Sequence, residues 1–285
     1  MTTPVLFLHG FWHGSWCWSE VLTLLAPTGR TALAVDMAGH GLHTRWPESI
    51  LRRPFSADDF AKEASPAADI ELDQAADLLV SQIERLGRGG PVTVVAHSMG
   101  GTVLTRAAEQ APHLVAHAVY LAGFMPASGV PALAYSQMPE NEGDLAGLSL
   151  KGDPISIGAA RLDVLSPDDA YRGQLRRAFY GDLPEAAADA ALGLLTPDGP
   201  AGIGLGVTTL TRDGWGSVPR TYIKCARDMA VRPALQRKFI AEADAAFPDN
   251  PTATFSLDSS HSPFLSMPGQ VADIIAGIGI GMGIG

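Results

Sequence analysis

The sequence predicts an α/β fold: a mostly parallel sheet with helices on both faces and an inserted helical cap. Three observations carry that reading. Short β-rich apolar runs alternate with longer helical stretches, the pattern of a parallel sheet covered on both sides. A chain of 285 residues with 46% hydrophobic and 18% charged content can bury a large core in one domain. One long Ala-, Leu-, Pro- and Gly-rich segment, 127–217, breaks the alternation and holds no clear strand.

The strand candidates are Val5–Leu8, Thr31–Val35, Val92–Ala96, Ala118–Leu121, Arg220–Cys225 and Ala253–Leu257. Each is close to the ~5–6 residues of an ordinary strand. Helical stretches fall at Ser19–Leu25, Leu72–Leu86, Gly101–Gln110 and Leu235–Ala246. In the second, Leu72, Ala75, Ala76, Leu79 and Ile83 form one apolar stripe, with Asp73, Asp77 and Glu84 off it. Residues 45–69 are polar and proline-punctuated and read as a loop insertion within the core. The boundaries expected are a core of 1–126 and 218–285 and a cap of 127–217, with helical pieces at Pro167–Phe179 and Pro184–Leu195; long insertions of this kind are commonly lids. The tail 277–285 alternates Gly with Ile and Met and is expected to fray.

Composition excludes several function classes. Thirty acids against twenty bases leave a net charge of −10, which disfavours nucleic acid and anionic membrane surfaces as partners. Cys17 and Cys225 are too few for a disulfide framework and lack metal-ligand spacing. No apolar run approaches the roughly 20 residues of a membrane span. The opening residues lack a basic n-region and read as a strand rather than a signal peptide, so a soluble cytoplasmic protein is expected.

The strongest chemical signal is the run Val92 to Gly101, where a β-branched stretch meets Ala96-His97-Ser98-Met99-Gly100-Gly101 and turns helical. A nucleophile elbow needs this context, because a sharp strand-to-helix turn exposes the serine hydroxyl. Ala96 stands where glycine is usual but keeps the residue small. A serine hydroxyl needs a base held by a third group, and the chain order of such folds is Ser, acid, His. His261 is the only histidine beyond residue 117 and follows the last strand. Asp228, three residues past the Arg220–Cys225 strand, is the preferred acid. Asp258 competes from the histidine's own loop, where a turn role is favoured, and Asp213 is less well placed.

The first strand runs into His9-Gly10-Phe11-Trp12-His13-Gly14. Backbone N–H groups of Phe11 and Met99 are the expected oxyanion donors. Trp12, Phe124 and Phe264, with Phe11 and Met99, are expected to wall an apolar substrate pocket; Trp16 and Trp18, like Trp12, read as core and pocket wall. His9 and His13, and His113 and His117, are spaced four apart but lack a third ligand, so no metal is expected, nor any organic cofactor. Asp36 reads as a loop anchor. Gly202 to Gly206 has the wrong spacing for a dinucleotide site, and no phosphate-binding Gly-Lys-Ser/Thr loop occurs.

With these residues in place the chain resembles the α/β-hydrolase superfamily, in the branch of plant methylesterases, hydroxynitrile lyases and bacterial esterase-like relatives. The resemblance rests on His9 to Trp18, the elbow, Tyr120 to Pro126, Trp215 to Ile223, and the loops of Asp228 and His261. It implies a Ser98–Asp228–His261 triad. Lyases of this branch carry a threonine after the first-strand histidine and a lysine after the catalytic one; here those positions are Gly10 and Ser262, the esterase pattern. The expected function is a serine hydrolase cleaving a small hydrophobic ester or lactone through an acyl-enzyme. The rivals are lyase, perhydrolase or carbon–carbon hydrolase chemistry, and a non-catalytic ligand-binding relative. An aspartate nucleophile, as dehalogenases and epoxide hydrolases use, is disfavoured by Ser98.

Overall fold

The computed structural model describes residues 3–278. The chain enters through β1 (Val5–Leu8), α1 (Ser19–Leu25) and β2 (Ala32–Val35). Two short helices, α2 (Glu48–Leu51) and α3 (Ala57–Lys62), occupy the 45–69 insertion, which is therefore partly helical rather than pure loop. Next come α4 (Leu72–Gly87), β3 (Val92–His97), α5 (Gly100–Gln110) and β4 (Val115–Leu121). The long segment before the next sheet strand holds α6 (Ala132–Ser136), α7 (Pro154–Ile157), β5 (Ala159–Arg161), α8 (Asp169–Tyr180), α9 (Glu185–Leu192), β6 (Asp198–Pro200) and α10 (Ala201–Leu205). The chain then closes the domain with β7 (Arg220–Cys225), α11 (Pro233–Ala246), β8 (Ala253–Leu257), α12 (Pro263–Ser266) and α13 (Pro268–Gly277).

Among the described residues the main sheet has six strands in the order β2-β1-β3-β4-β7-β8, and every pairing is parallel. Side chains alternate across a strand, and a parallel sheet is covered on both faces. Val5 and Phe7 accordingly join Trp18, Val21, Leu25, Val271 and Ile275 on one side. Leu6 and Leu8 join Leu79, Ile83, Val103 and Leu104 on the other. All five stripe residues of α4 are buried, and the Gln74 side chain caps its start by accepting from the Glu71 N–H at 2.9 Å.

The segment 127–217 departs from expectation in holding a short antiparallel pair, β5 with β6. An ion pair between fully buried partners sits on it: the Arg161 guanidinium meets Asp198 in a fork of two 2.7 Å bonds. Arg161 also donates to the carbonyls of Phe60 and Glu63, at 2.6 and 2.7 Å, so one guanidinium ties β5, β6 and the end of α3 together. The tail is described only in part. Gly277 ends α13, Ile278 is buried, and the rest of the expectation for 277–285 lies outside the described residues. No helix among the described residues is long and apolar enough to cross a membrane.

Removing one partner of a buried pair strands the other charge, at a cost of about 3–5 kcal/mol. Arg161→Met should lower the free energy of unfolding in urea by that amount, while Arg161→Met with Asp198→Leu should recover most of it. Equal instability of single and double variants would show that the charge is not what is being compensated.

Candidate active site

The turn at Ser98 is built by close approach. β3 delivers Ser98 at φ 51°, a left-handed backbone that costs a non-glycine residue of order 1–3 kcal/mol. The surroundings hold it there: Ser98 N–H donates to the Leu121 carbonyl at 3.3 Å, and the Ser98 carbonyl accepts from Phe124 N–H at 2.8 Å and Gly101 N–H at 3.0 Å. A Cβ at Gly100 would stand 2.4 Å from the His9 carbonyl oxygen, and one at Gly10 would stand 2.5 Å from the Ser98 Cβ. Glycine at these two positions is what lets the loop after β1 lie against the elbow. Ala96, in place of the usual glycine, is fully buried in β3 opposite Leu8 and Tyr120.

His261 follows β8, and its Nδ1–H donates to Asp228 Oδ2 at 2.8 Å. That bond leaves the Nε2 lone pair free. Asp228 is buried; its Oδ1 accepts from the N–H groups of Ala230 and Val231 at 2.7 and 2.9 Å. Gln236 Nε2 donates to Oδ2 at 3.3 Å. Asp258 plays no such part. Its side chain is 80% exposed and pairs with Arg227 at 3.0 Å. Asp213 is likewise exposed, its carbonyl accepting from Ser217.

Ser98 and His261 both line a cavity of about 830 Å³, together with Phe11, Trp12, Met99 and Phe124. Phe264 does not line it. It is fully buried beneath the site, its ring 4.9 Å from His97 and 5.1 Å from Trp18, because α12 turns it away from the open end of the sheet. Trp12 sits at φ 64° and is held by the segment 127–217: its indole N–H donates to the Ala160 carbonyl, and its own carbonyl accepts from Thr196 N–H, both at 2.8 Å. Asp36 is the expected anchor, its carboxylate accepting from the N–H groups of Ser15 and Leu42.

Three features escaped the sequence. Gln236 bridges Asp228 to β7 through bonds to the backbone of Cys225. Asp144 lines the cavity; burial pushes its carboxyl above the usual range, assisted by the Asp228 charge and opposed by the Gly147 N–H. His97 donates from Nε2 to the His261 carbonyl at 2.9 Å. None lies in a motif with a spacing of its own, and only His97, one residue before Ser98, stood where attention could have fallen.

Residues 5–274 match the alpha/beta hydrolase family, and the chain belongs to that family. It is 28% identical to methylesterase 1 of Arabidopsis thaliana over 94% of this chain and 92% of the relative. It is 27% identical to a pyrethroid hydrolase of Sphingobium wenxiniae over 96% of this chain and 86% of the relative. Its fold is shared by the crystal structure of a pyrethroid hydrolase from Sphingobium faniae, with a TM-score of 0.73 at 22% identity, covering 97% of this chain and 96% of that one.

Four further histidines crowd the site: His9, His13, His40 and His97 are all buried. The His97 ring lies 4.4 Å from that of His261 and 5.7 Å from that of His13. Their partners fit neutral tautomers. His9 Nε2 accepts from Met37 N–H at 3.1 Å, and His13 Nε2 accepts from the Tyr180 hydroxyl at 2.9 Å. Burial lowers His9 and His13 to about 3 and His40 to about 4, and holds His97 well below its usual value. The native state therefore refuses protons that the unfolded chain accepts near pH 6.5. Stability is fully present above about pH 6.5 and is lost as pH falls from there towards 4, at about 1.4 kcal/mol per pH unit for each histidine. Urea unfolding at pH 7, 6 and 5 should show this decline, and His40→Asn should flatten it by one histidine's share. An unaltered slope in that variant would exclude His40 from the effect.

Proposed function

We propose that the chain is a serine carboxylic-ester hydrolase acting on an uncharged, largely apolar ester. The observation that carries the reading is one arrangement: Ser98 at a left-handed elbow, opening into the cavity that also receives His261, whose Nδ1–H is held 2.8 Å from a buried Asp228. The homology of the chain to a methylesterase and a pyrethroid hydrolase supports the same class of chemistry.

In this reading Ser98 Oγ attacks the ester carbonyl while His261 Nε2 takes its proton. Asp228 keeps the proton on Nδ1 and stabilises the imidazolium that forms. The N–H groups of Phe11 and Met99 receive the developing oxyanion. His261 then protonates the departing alcohol, and a water it activates cleaves the acyl-enzyme.

The lining argues for substrate class. Sites for small molecules span about 300–1,000 Å³, so a cavity of about 830 Å³ takes a larger ester than an acetate or simple lactone. Its charged walls are Glu142, Asp144 and Asp153, and no lysine or arginine among the described residues lines it. An anionic substrate meets repulsion there, and a departing cyanide finds no cation, which speaks against lyase chemistry. We assign residues 1–126 and 218–285 to the hydrolytic core and 127–217 to a cap supplying most of the wall.

Hydrolysis of a panel of p-nitrophenyl esters tests the reading. Ser98→Ala should reduce kcat by ~10⁶ and Asp228→Asn by ~10⁴, both with the fold intact by circular dichroism. A Ser98→Ala enzyme keeping more than about a tenth of the wild-type rate would remove Ser98 from the mechanism.

A further inference from the structure

His261 has three kinds of attachment. Its ring is fixed by Asp228, and its carbonyl accepts from His97. The third holds the chain on either side of it. Ser260 N–H donates to Asp182 Oδ2 at 2.9 Å, Ser260 Oγ donates to Asp182 Oδ1, and Ser266 Oγ donates to Oδ2 at 2.9 Å. Asp182 lies between α8 and α9, in the segment 127–217 and outside the hydrolytic core. One carboxylate from that segment thus grips the residue directly before His261 and the end of α12 five residues after it.

We infer that Asp182 is a positioning residue for His261: it clamps the loop between β8 and α12 so that the ring stays at the cavity Ser98 also lines while Nδ1 stays on Asp228. The inference rests on the hydrolase reading above, and it gives the cap a part in the chemistry in addition to the wall it forms. The physical reason is the geometry of the loop. Ser260 N–H has no place in a strand or helix ladder, and a carboxylate with two oxygens can take donors arriving from two directions at once. Hydrogen bonds to a charged acceptor are shorter and stiffer than neutral ones. Proton transfer and attack are sensitive to placement, and a shift of about 1 Å can cost ~10² in rate. Asp182 touches no reacting atom in this scheme and acts only through the backbone of His261.

The experiment compares Asp182→Ala, Asp182→Asn and Ser266→Ala with the wild type on p-nitrophenyl acetate, which is too small to need the cap wall, and on a bulky ester. Asp182→Ala should lower kcat by about 10–100-fold on both esters, with KM changed less than about twofold. Asp182→Asn offers one acceptor oxygen in place of two and should fall between, whereas Ser266→Ala should lose least and Ser266→Thr should restore the wild-type rate. The downfield proton resonance of His261 Nδ1–H should broaden in Asp182→Ala, a change that a purely structural staple would not produce. An unchanged kcat, or a loss confined to KM on the bulky ester, overturns the assignment. Should Asp182→Ala fail to fold, the kcat values of Asp182→Asn and Ser266→Ala decide the question in the same way. Ser98→Ala run on the same esters separates the two claims: an active Ser98→Ala refutes the hydrolase reading, while an inactive Ser98→Ala beside a fully active Asp182→Ala refutes only the role of Asp182.

Discussion

A serine forced to φ 51° between a strand and a helix needs the rest of the molecule to hold it there. The strand before it must be rigid, and β3 is central in the sheet, paired on both sides and buried throughout. The helix after it must start at once, and Gly100 permits this by leaving room for the His9 carbonyl. The loop after β1 must lie against the turn without touching it, which Gly10 allows. The strain at Ser98 is thus set against the packing of a whole parallel sheet, and the neighbouring strands end where His261, Phe11 and Phe124 face the same cavity, with Asp228 buried behind the histidine.

Much of this was legible because it is local. The β-branched run Val92–Val95 and the apolar stripe of α4 are periodic signals, and the structure returns β1, β7, β8 and α1 with the bounds read from the sequence. The elbow was legible for the same reason, since strand, serine and helix are contiguous. Phe264 shows where that stops. An aromatic residue three positions after His261 reads as a pocket wall, but only the turn of α12 decides which face it takes, and it takes the inner one. The choice between Asp228 and Asp258 was likewise a matter of direction in space.

Long-range polar contacts left no trace in the sequence. β5 and β6 are three residues each and include Gly199 and Pro200, poor strand formers by composition; an ion pair between residues 37 apart accompanies their pairing. Gln236 and Asp182 belong to no motif. The histidines carry a similar lesson: the spacing of His9 and His13 says nothing of their partners, which in the structure are the Gly10 and Phe11 carbonyls at Nδ1 and the Met37 N–H and Tyr180 hydroxyl at Nε2. Among the buried imidazoles of the described residues, His261 is the one whose ring N–H donates to a carboxylate, that of Asp228 at 2.8 Å.

The segment 127–217 leaves the sheet after β4 and returns at β7, and these two strands are neighbours, with Ala118 opposite Arg220. An excursion that begins and ends on adjacent strands can lengthen, shorten or be rebuilt without altering the register of the sheet beneath. The pairing of β4 with β7 therefore sets no length for the segment between them. Its contacts with the chain outside it mark limits to that freedom: Asp182 holds Ser260 and Ser266, Arg161 holds the carbonyls of Phe60 and Glu63, and the Ala160 carbonyl holds the Trp12 indole, so a rebuilt excursion has these three footholds to replace.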